Sequence, residues 1–274
     1  MRSRRTARKT VIYVVTGVAA LLYVLPIYLI VLTSLKSREN AFQTPPTFFT
    51  VPTFEAYIQF FQRTDVLHML GNSLIVALGS TALAFVLGVP AAYGLARFQG
   101  RMRDGVGLSF LASRFIPPIA VVVPYFLGLR LIGGLDTQWG LVLVYLGMNL
   151  PYVVWMMRGF FLDLPVEIEE AALVDGCTRF GTMVRIVLPI AKGGLAATAV
   201  LTLMFAWNEF LFALLLTSSR AATLPLSISA FLGESGTEWN VMAAAGTLIM
   251  LPAIVFSVFV QKHMARGLTF GAVK

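Results

Sequence analysis

The chain has 274 residues, 58% of them hydrophobic and only 12% charged. Soluble domains carry about a quarter charged residues, so the composition places this chain in a membrane. The net charge of +8 then reads as loop residues gathered on one membrane side, and the single cysteine, Cys177, excludes an internal disulfide and a thiolate zinc site.

A spanning helix needs about 20 apolar residues. Six such stretches are predicted: 11–35, 70–95, 106–132, 138–160, 190–217 and 241–261. The first follows Arg2, Arg4, Arg5, Arg8 and Lys9. Its apolar core is too long for a signal peptide, so an uncleaved anchor is expected. The second carries Ala84, Gly88, Ala92 and Ala96, a small residue at every fourth position. That stripe lets helix backbones approach closely inside the subunit. The third is interrupted by Arg114 and the pair Pro117-Pro118, and Pro90, Pro124 and Pro252 should kink their helices.

Basic residues set the orientation. They concentrate at the N-terminus, after the second span (Arg97, Arg101, Arg103), after the fourth (Arg158, Arg179, Arg185) and in the tail (Lys262, Arg266, Lys274). The alternate loops are poorer: Lys36, Arg38 and Arg63, then Arg130, then Arg220. Six crossings with both termini cytoplasmic follow, and residues 163–189 fall in the cytoplasm.

That segment is acidic and Ala-rich, and reads as a helical hook. Asp163 is expected to cap a helix of about a dozen residues with Pro165 and Glu167 in its first turn. Gly176 should end it in the left-handed conformation. Ile168, Ala171, Ala172 and Asp175 would share one side, with Glu167, Glu170 and Val174 forming an acidic strip beside it. Thr178 should cap a second short helix through Arg179, Phe180, Met183 and Ile186, leading into the fifth span at Pro189. Phe180, Met183 and Ile186 would be exposed without reason in a merely solvated loop.

The order Glu170-Ala171-Ala172, Gly176, then Ile186-x-Leu188-Pro189 resembles the EAA loop of membrane subunits of binding-protein-dependent ABC importers. Other pieces resemble the smaller membrane subunit of maltose-type carbohydrate importers. These are Asn72-Ser73, Ala91-Ala92-Tyr93 with Arg97, Pro117-Pro118, Phe205-Ala206-Trp207-Asn208-Glu209, Glu238-Trp239-Asn240, and the tail from Arg266 to Lys274. The resemblance implies an all-α, polytopic fold, the transmembrane domain of a type I ABC importer. Residues 1–69 would form an anchor helix and first outer loop, 70–262 the transmembrane domain, and 263–274 a cytoplasmic tail.

It also implies partners: a second related permease, an ABC ATPase dimer and an extracellular or periplasmic sugar-binding protein. ATP and Mg would sit on the ATPase, with no cofactor, metal or catalytic residue on this chain and no nucleic acid bound. The setting would be a bacterial or archaeal plasma membrane, with lipid around the spans. ATPase coupling would fall to Glu167, Glu170, Ala171, Ala172, Asp175, Gly176, Phe180, Ile186, Leu188 and Pro189. The loop bearing Gly233, Glu234, Ser235, Gly236 and Trp239 would reach the binding protein.

Polar residues within spans are candidates for the solute path: Asn149 and Tyr152 in the fourth span, Trp207, Asn208 and Glu209 in the fifth. A structural role tying helices together competes for each, and Arg114 is expected to form an ion pair with Glu209. Two rival functions are open to test. An ion-coupled carrier would need several buried carboxylates, where only Glu209 lies well inside a span. A membrane enzyme would need a triad or HExxH arrangement, and none occurs. An ABC permease for a non-sugar solute shares the EAA loop.

Overall fold

The computed structural model describes residues 2–43, 45, 47–97, 100, 102–233 and 236–269. Glu234, Ser235, Arg101 and the tail residues Gly271, Ala272, Val273 and Lys274 lie outside the described residues. Among the described residues the regular structure is helical apart from a two-residue antiparallel pair, Leu232–Gly233 with Gly236–Thr237. In chain order the helices are α1 (Arg2–Ser34), α2 (Arg38–Ala41), α3 (Glu55–Arg63), α4 (Val66–Arg97), α5 (Met102–Ser113), α6 (Pro118–Leu131) and α7 (Gln138–Leu162). There follow α8 (Glu167–Val174), α9 (Arg179–Thr182), α10 (Leu188–Ile190), α11 (Lys192–Trp207), α12 (Leu211–Leu216) and α13 (Trp239–Thr269).

Among the described residues, four helices are long and apolar enough to cross a membrane: α1 from Lys9, α4, α7, and α13 as far as Val258. A fifth crossing counts if Arg179–Ile190 and Lys192–Trp207, bent by 81°, are one span. Length and composition alone thus account for four or five of the six expected spans. The stretch 106–132 is two shorter helices, because Arg114–Pro117 breaks the chain and Pro118 starts a new helix at its first turn. The stretch 190–217 breaks at Asn208–Phe210. The last helix exceeds expectation, beginning at Trp239 and running through Arg266 to Thr269.

The chain divides into two compact units. One holds residues 1–66 and 227–251. In it Asn240 Nδ2 donates to the Lys36 carbonyl at 3.5 Å, Lys36 Nζ donates to the Thr47 carbonyl at 2.6 Å, and Arg63 pairs with Glu238 at 2.9 Å. The other holds 67–226 and 252–274. Its core is a seam of α4 against α7, built from Ala84, Val89, Ala92 and Ala96 facing Val153, Val154, Met157 and Phe161, with Val187 and Ala191 closing it. The small-residue stripe makes this possible: a Cβ on Gly88 would stand 2.9 Å from a Val153 methyl. The stripe thus packs inside the subunit.

Candidate functional site

The hook departs from expectation at its start. Asp163 caps the end of α7, its N–H reaching the Gly159 carbonyl at 3.3 Å, and α8 begins only at Glu167 with Val166 before it. Pro165 therefore precedes the helix, which has eight residues rather than a dozen. Its end is as the sequence indicates. Gly176 adopts φ +86°, its N–H bonds the Leu173 carbonyl, and the Cys177 N–H bonds the Ala172 carbonyl. This is a Schellman closure, which only the left-handed residue permits. Thr178 then caps α9, its hydroxyl accepting from the Gly181 N–H at 3.1 Å. A π-helical turn, Met183–Val187, links α9 to α10.

The second correction concerns which residues face outward. Ala172 and Met183 are buried within the chain. The exposed stripe of α8 is Glu167, Glu170, Ala171 and Val174, spaced i, i+3, i+4, i+7, with Ile168 beside it. Asp175, Gly176 and Pro189 are also exposed, Ile186 and Leu188 are half-buried, and Phe180 stands 69% exposed.

The reason for the rotation is Glu169, which the sequence reading passed over. It is only 6% exposed. Arg97, the last residue of α4, holds its Oε1 from Nε at 2.8 Å and from a terminal nitrogen at 2.6 Å. Tyr93, one turn earlier, donates its hydroxyl to Oε2 at 2.6 Å. The same terminal nitrogen of Arg97 also donates to the Leu164 carbonyl at 3.2 Å, and the Tyr93 ring packs edge-on against Phe161 at 5.7 Å. A buried carboxylate needs such partners. Satisfying it turns Glu169, and Ala172 three residues on, toward α4. The motif Ala91-Ala92-Tyr93 with Arg97 was visible in the sequence; its partner was not.

Within the spans, Glu209 sits at the break between α11 and α12. Its carboxylate accepts the backbone N–H groups of Phe212 (3.1 Å) and Ala213 (3.3 Å), capping α12, and the Tyr145 hydroxyl at 2.8 Å. The break leaves N–H groups that lipid cannot satisfy, and Glu209 satisfies them. Asn208 closes α11, donating Nδ2 to the Met204 carbonyl. The expected Arg114–Glu209 ion pair does not form. Arg114 instead donates to the Met148 carbonyl at 2.8 Å and lies over the rings of Tyr152 and Phe205. Trp207 is 1% exposed, stacked edge-on against Phe256 at 5.9 Å. It is a core side chain and offers no open ring face. Asn149 is buried and Tyr152 half-buried.

The model of the binding-protein-dependent transport system inner membrane component family matches residues 84–270, a stretch containing the hook and both of its anchors. The chain belongs to that family. It is similar to the trehalose transport system permease protein of Mycobacterium tuberculosis, 39% identical over 81% of this chain and 82% of that protein. It is also similar to the trehalose/maltose transport system permease protein of Thermococcus litoralis, 32% identical over 85% and 88%. In fold it matches a chain from the crystal structure of a bacterial ABC transporter involved in import of the acidic polysaccharide alginate. There the TM-score is 0.75 at 23% identity, covering 96% of this chain and 98% of that one. The protein is thus a membrane-embedded ABC transporter permease subunit, not an enzyme.

The pair Asn72-Ser73 has a structural role in this permease. Asn72 Nδ2 donates to the carbonyls of Arg220 and Ala222, its Oδ1 accepts from Gln138, and Ser73 Oγ accepts the Leu224 N–H at 2.8 Å. Asp136 (φ +53°) gathers the N–H groups of Ser218, Ser219, Arg220 and Ala221 and the Ser218 hydroxyl. Burial would raise its carboxyl pKa, but the N–H groups of Ser218, Ala221 and Arg220 outweigh that and hold it well below the usual carboxylate range. Residues 218–224 are thereby fixed to α4 and to the turn before α7. Further on, Gly233 pairs with Gly236 across the short ladder and Trp239 is exposed at the start of α13.

Proposed function

We propose that this permease is one of two related membrane subunits of an ATP-driven carbohydrate importer, and that its α8–α9 hook carries the coupling to an ABC ATPase dimer. The observation that carries this reading is the hook itself. Glu167, Glu170, Ala171, Val174 and Phe180 face outward with no hydrogen-bond or ion-pair partner shown for their side chains among the described residues, while Glu169 locks the same helix to α4. A helix that is rigidly attached on one face and open on the other can pass displacement from a docked motor to the spans. The names of the sugar-transporting relatives support the solute class.

On this reading the chain crosses a bacterial or archaeal plasma membrane six times, the third crossing made jointly by α5 and α6, with both termini and the hook in the cytoplasm. The division into 1–69, 70–262 and 263–274 follows from that path. ATP and Mg bind the ATPase chains. The loop with Gly233, Glu234, Ser235, Gly236 and Trp239 meets a solute-loaded binding protein outside. Asn149, Tyr152, Asn208 and Glu209 border the solute path, and Trp207 supports them from the core.

The test is Glu170→Lys. The variant inserts normally and retains its second permease, but loses the ATPase on mild-detergent purification and loses sugar uptake by about a hundredfold, as expected when a charge is reversed against a basic partner. Normal uptake by this variant sinks the coupling assignment.

A further inference from the structure

Two cavities adjoin at Arg114 and Met148. The larger, about 320 Å³, is walled mainly by apolar groups, among them Tyr125, Pro151 and Phe212. The smaller, about 120 Å³, is lined by Arg114, Tyr145, Asn149, Phe205 and Glu209. Asn149 is 2% exposed and its Nδ2 has no hydrogen-bond partner. A buried donor left unmade costs more than an ordinary hydrogen bond gains. Leucine has the same branched outline without the polar atoms, so an amide that served packing alone would have no reason to be here.

Arg114 also has donors to spare. One terminal nitrogen serves Met148, the rest of the guanidinium lies over two rings, and no carboxylate among the described residues pairs with it. Across the same cavity stands an acceptor. Glu209 takes Tyr145 and two backbone N–H groups, mostly on Oε2, which leaves capacity on Oε1. The small cavity therefore presents donors on one wall and a carboxylate on the other. A hydroxyl group both donates and accepts, and matches both walls. An anion would be repelled by Glu209 and a cation by Arg114.

We infer that this pair of cavities is a solute subsite on this subunit. The small cavity takes one hydroxyl or hydroxymethyl group of an uncharged, polyhydroxylated solute, donated to Glu209 and accepted from Asn149 and Arg114. The larger apolar chamber takes the adjoining ring face. The inference rests on the sugar-importer reading and adds that this chain itself recognises the solute.

The test uses the whole transporter in proteoliposomes with ATP inside. Its binding protein is loaded outside with trehalose, maltose or N,N′-diacetylchitobiose. Sugar delivered per ATP hydrolysed is compared among wild type, Asn149→Leu and Arg114→Gln. Asn149→Leu removes the orphan donor, so the thermal midpoint of the complex stays the same or rises, while sugar per ATP falls about tenfold, the effect of one lost hydrogen bond of ordinary strength. Arg114→Gln gives a similar fall. Unchanged sugar per ATP in both variants overturns the subsite and leaves the importer reading intact. A wild-type complex that hydrolyses ATP but moves none of the three sugars overturns the sugar reading and the subsite together.

Discussion

The two ends of α7 are tied down by acids, in opposite ways. Beyond its C-terminus, Glu169 is held by the side chains of Tyr93 and Arg97, both on α4. Before its N-terminus, Asp136 is held by four consecutive backbone N–H groups of residues 218–221. The first arrangement is side chain to side chain, anchored on a long helix, and one substitution can dissolve it. The second is mainly side chain to main chain, with the Ser218 hydroxyl and Arg220 added, so most of its donors survive any substitution except that of the acid itself. A joint that must carry displacement gains from a rigid helix behind it. A joint that only has to fix a loop needs no particular donor sequence.

The sharpest way to break the comparison is to remove the cation at each end. Arg97→Met strands Glu169 as a buried charge and should cost about 3–5 kcal/mol, read from thermal unfolding of the purified complex. Adding Glu169→Leu should restore most of that stability but not the coupling of ATP hydrolysis to uptake. The matching cut, Arg220→Ala, should cost under about 1 kcal/mol. That arginine lies 3.6 Å from Asp136 and is 77% exposed, and the backbone N–H groups survive the change. Equal losses at the two ends would erase the distinction.

Next in size is the seam that joins the ends. Gly88→Val drives side-chain atoms into Val153 and Leu150, whose nearest atoms already stand 2.9 and 3.2 Å from where a Cβ would be. Overpacking of this kind costs about 1–3 kcal/mol. If the variant unfolds at the wild-type temperature, the α4–α7 seam is looser than its spacing indicates.

How much of this was legible beforehand follows from how local each signal is. Gly176 and Thr178 could be read because capping chemistry is decided within a few residues, and the stripe Ala84, Gly88, Ala92, Ala96 because helical period fixes its face. The break at Pro117-Pro118 was visible, but not that it splits the span into two helices. Glu169 was hidden. Among Glu167, Glu169 and Glu170 nothing local says which is neutralised, since its partners lie 72 and 76 positions away. That same long-range pair misled the assignment of Ala172 to the outward face. Asp163 was misread for a related reason: an acid before a proline looks like a helix start, while here α7 runs on to meet it. Trp207 looked like a ring platform because an aromatic beside Asn208 and Glu209 suggests a solute wall, yet Phe256 covers it from a helix far along the chain.

A small effect separates the two ends by their response to acid. Asp136→Asn keeps one acceptor oxygen and the shape of the turn, but replaces bonds to a charged group with weaker neutral ones, a loss of about 1 kcal/mol near pH 7. Because the folded-state carboxyl is held below its ordinary range, Asp136 contributes stability that is present above the unfolded carboxyl value of about 4. That contribution is lost progressively as pH falls below it, where the unfolded chain takes up a proton that the folded chain resists. The gap in stability between wild type and Asp136→Asn should therefore be widest at neutral pH and shrink between about pH 4 and pH 3. Denaturant titrations of the two proteins across that interval measure it. A gap that stays constant with pH would mean that residues 218–221 recognise the shape of the side chain and not its charge.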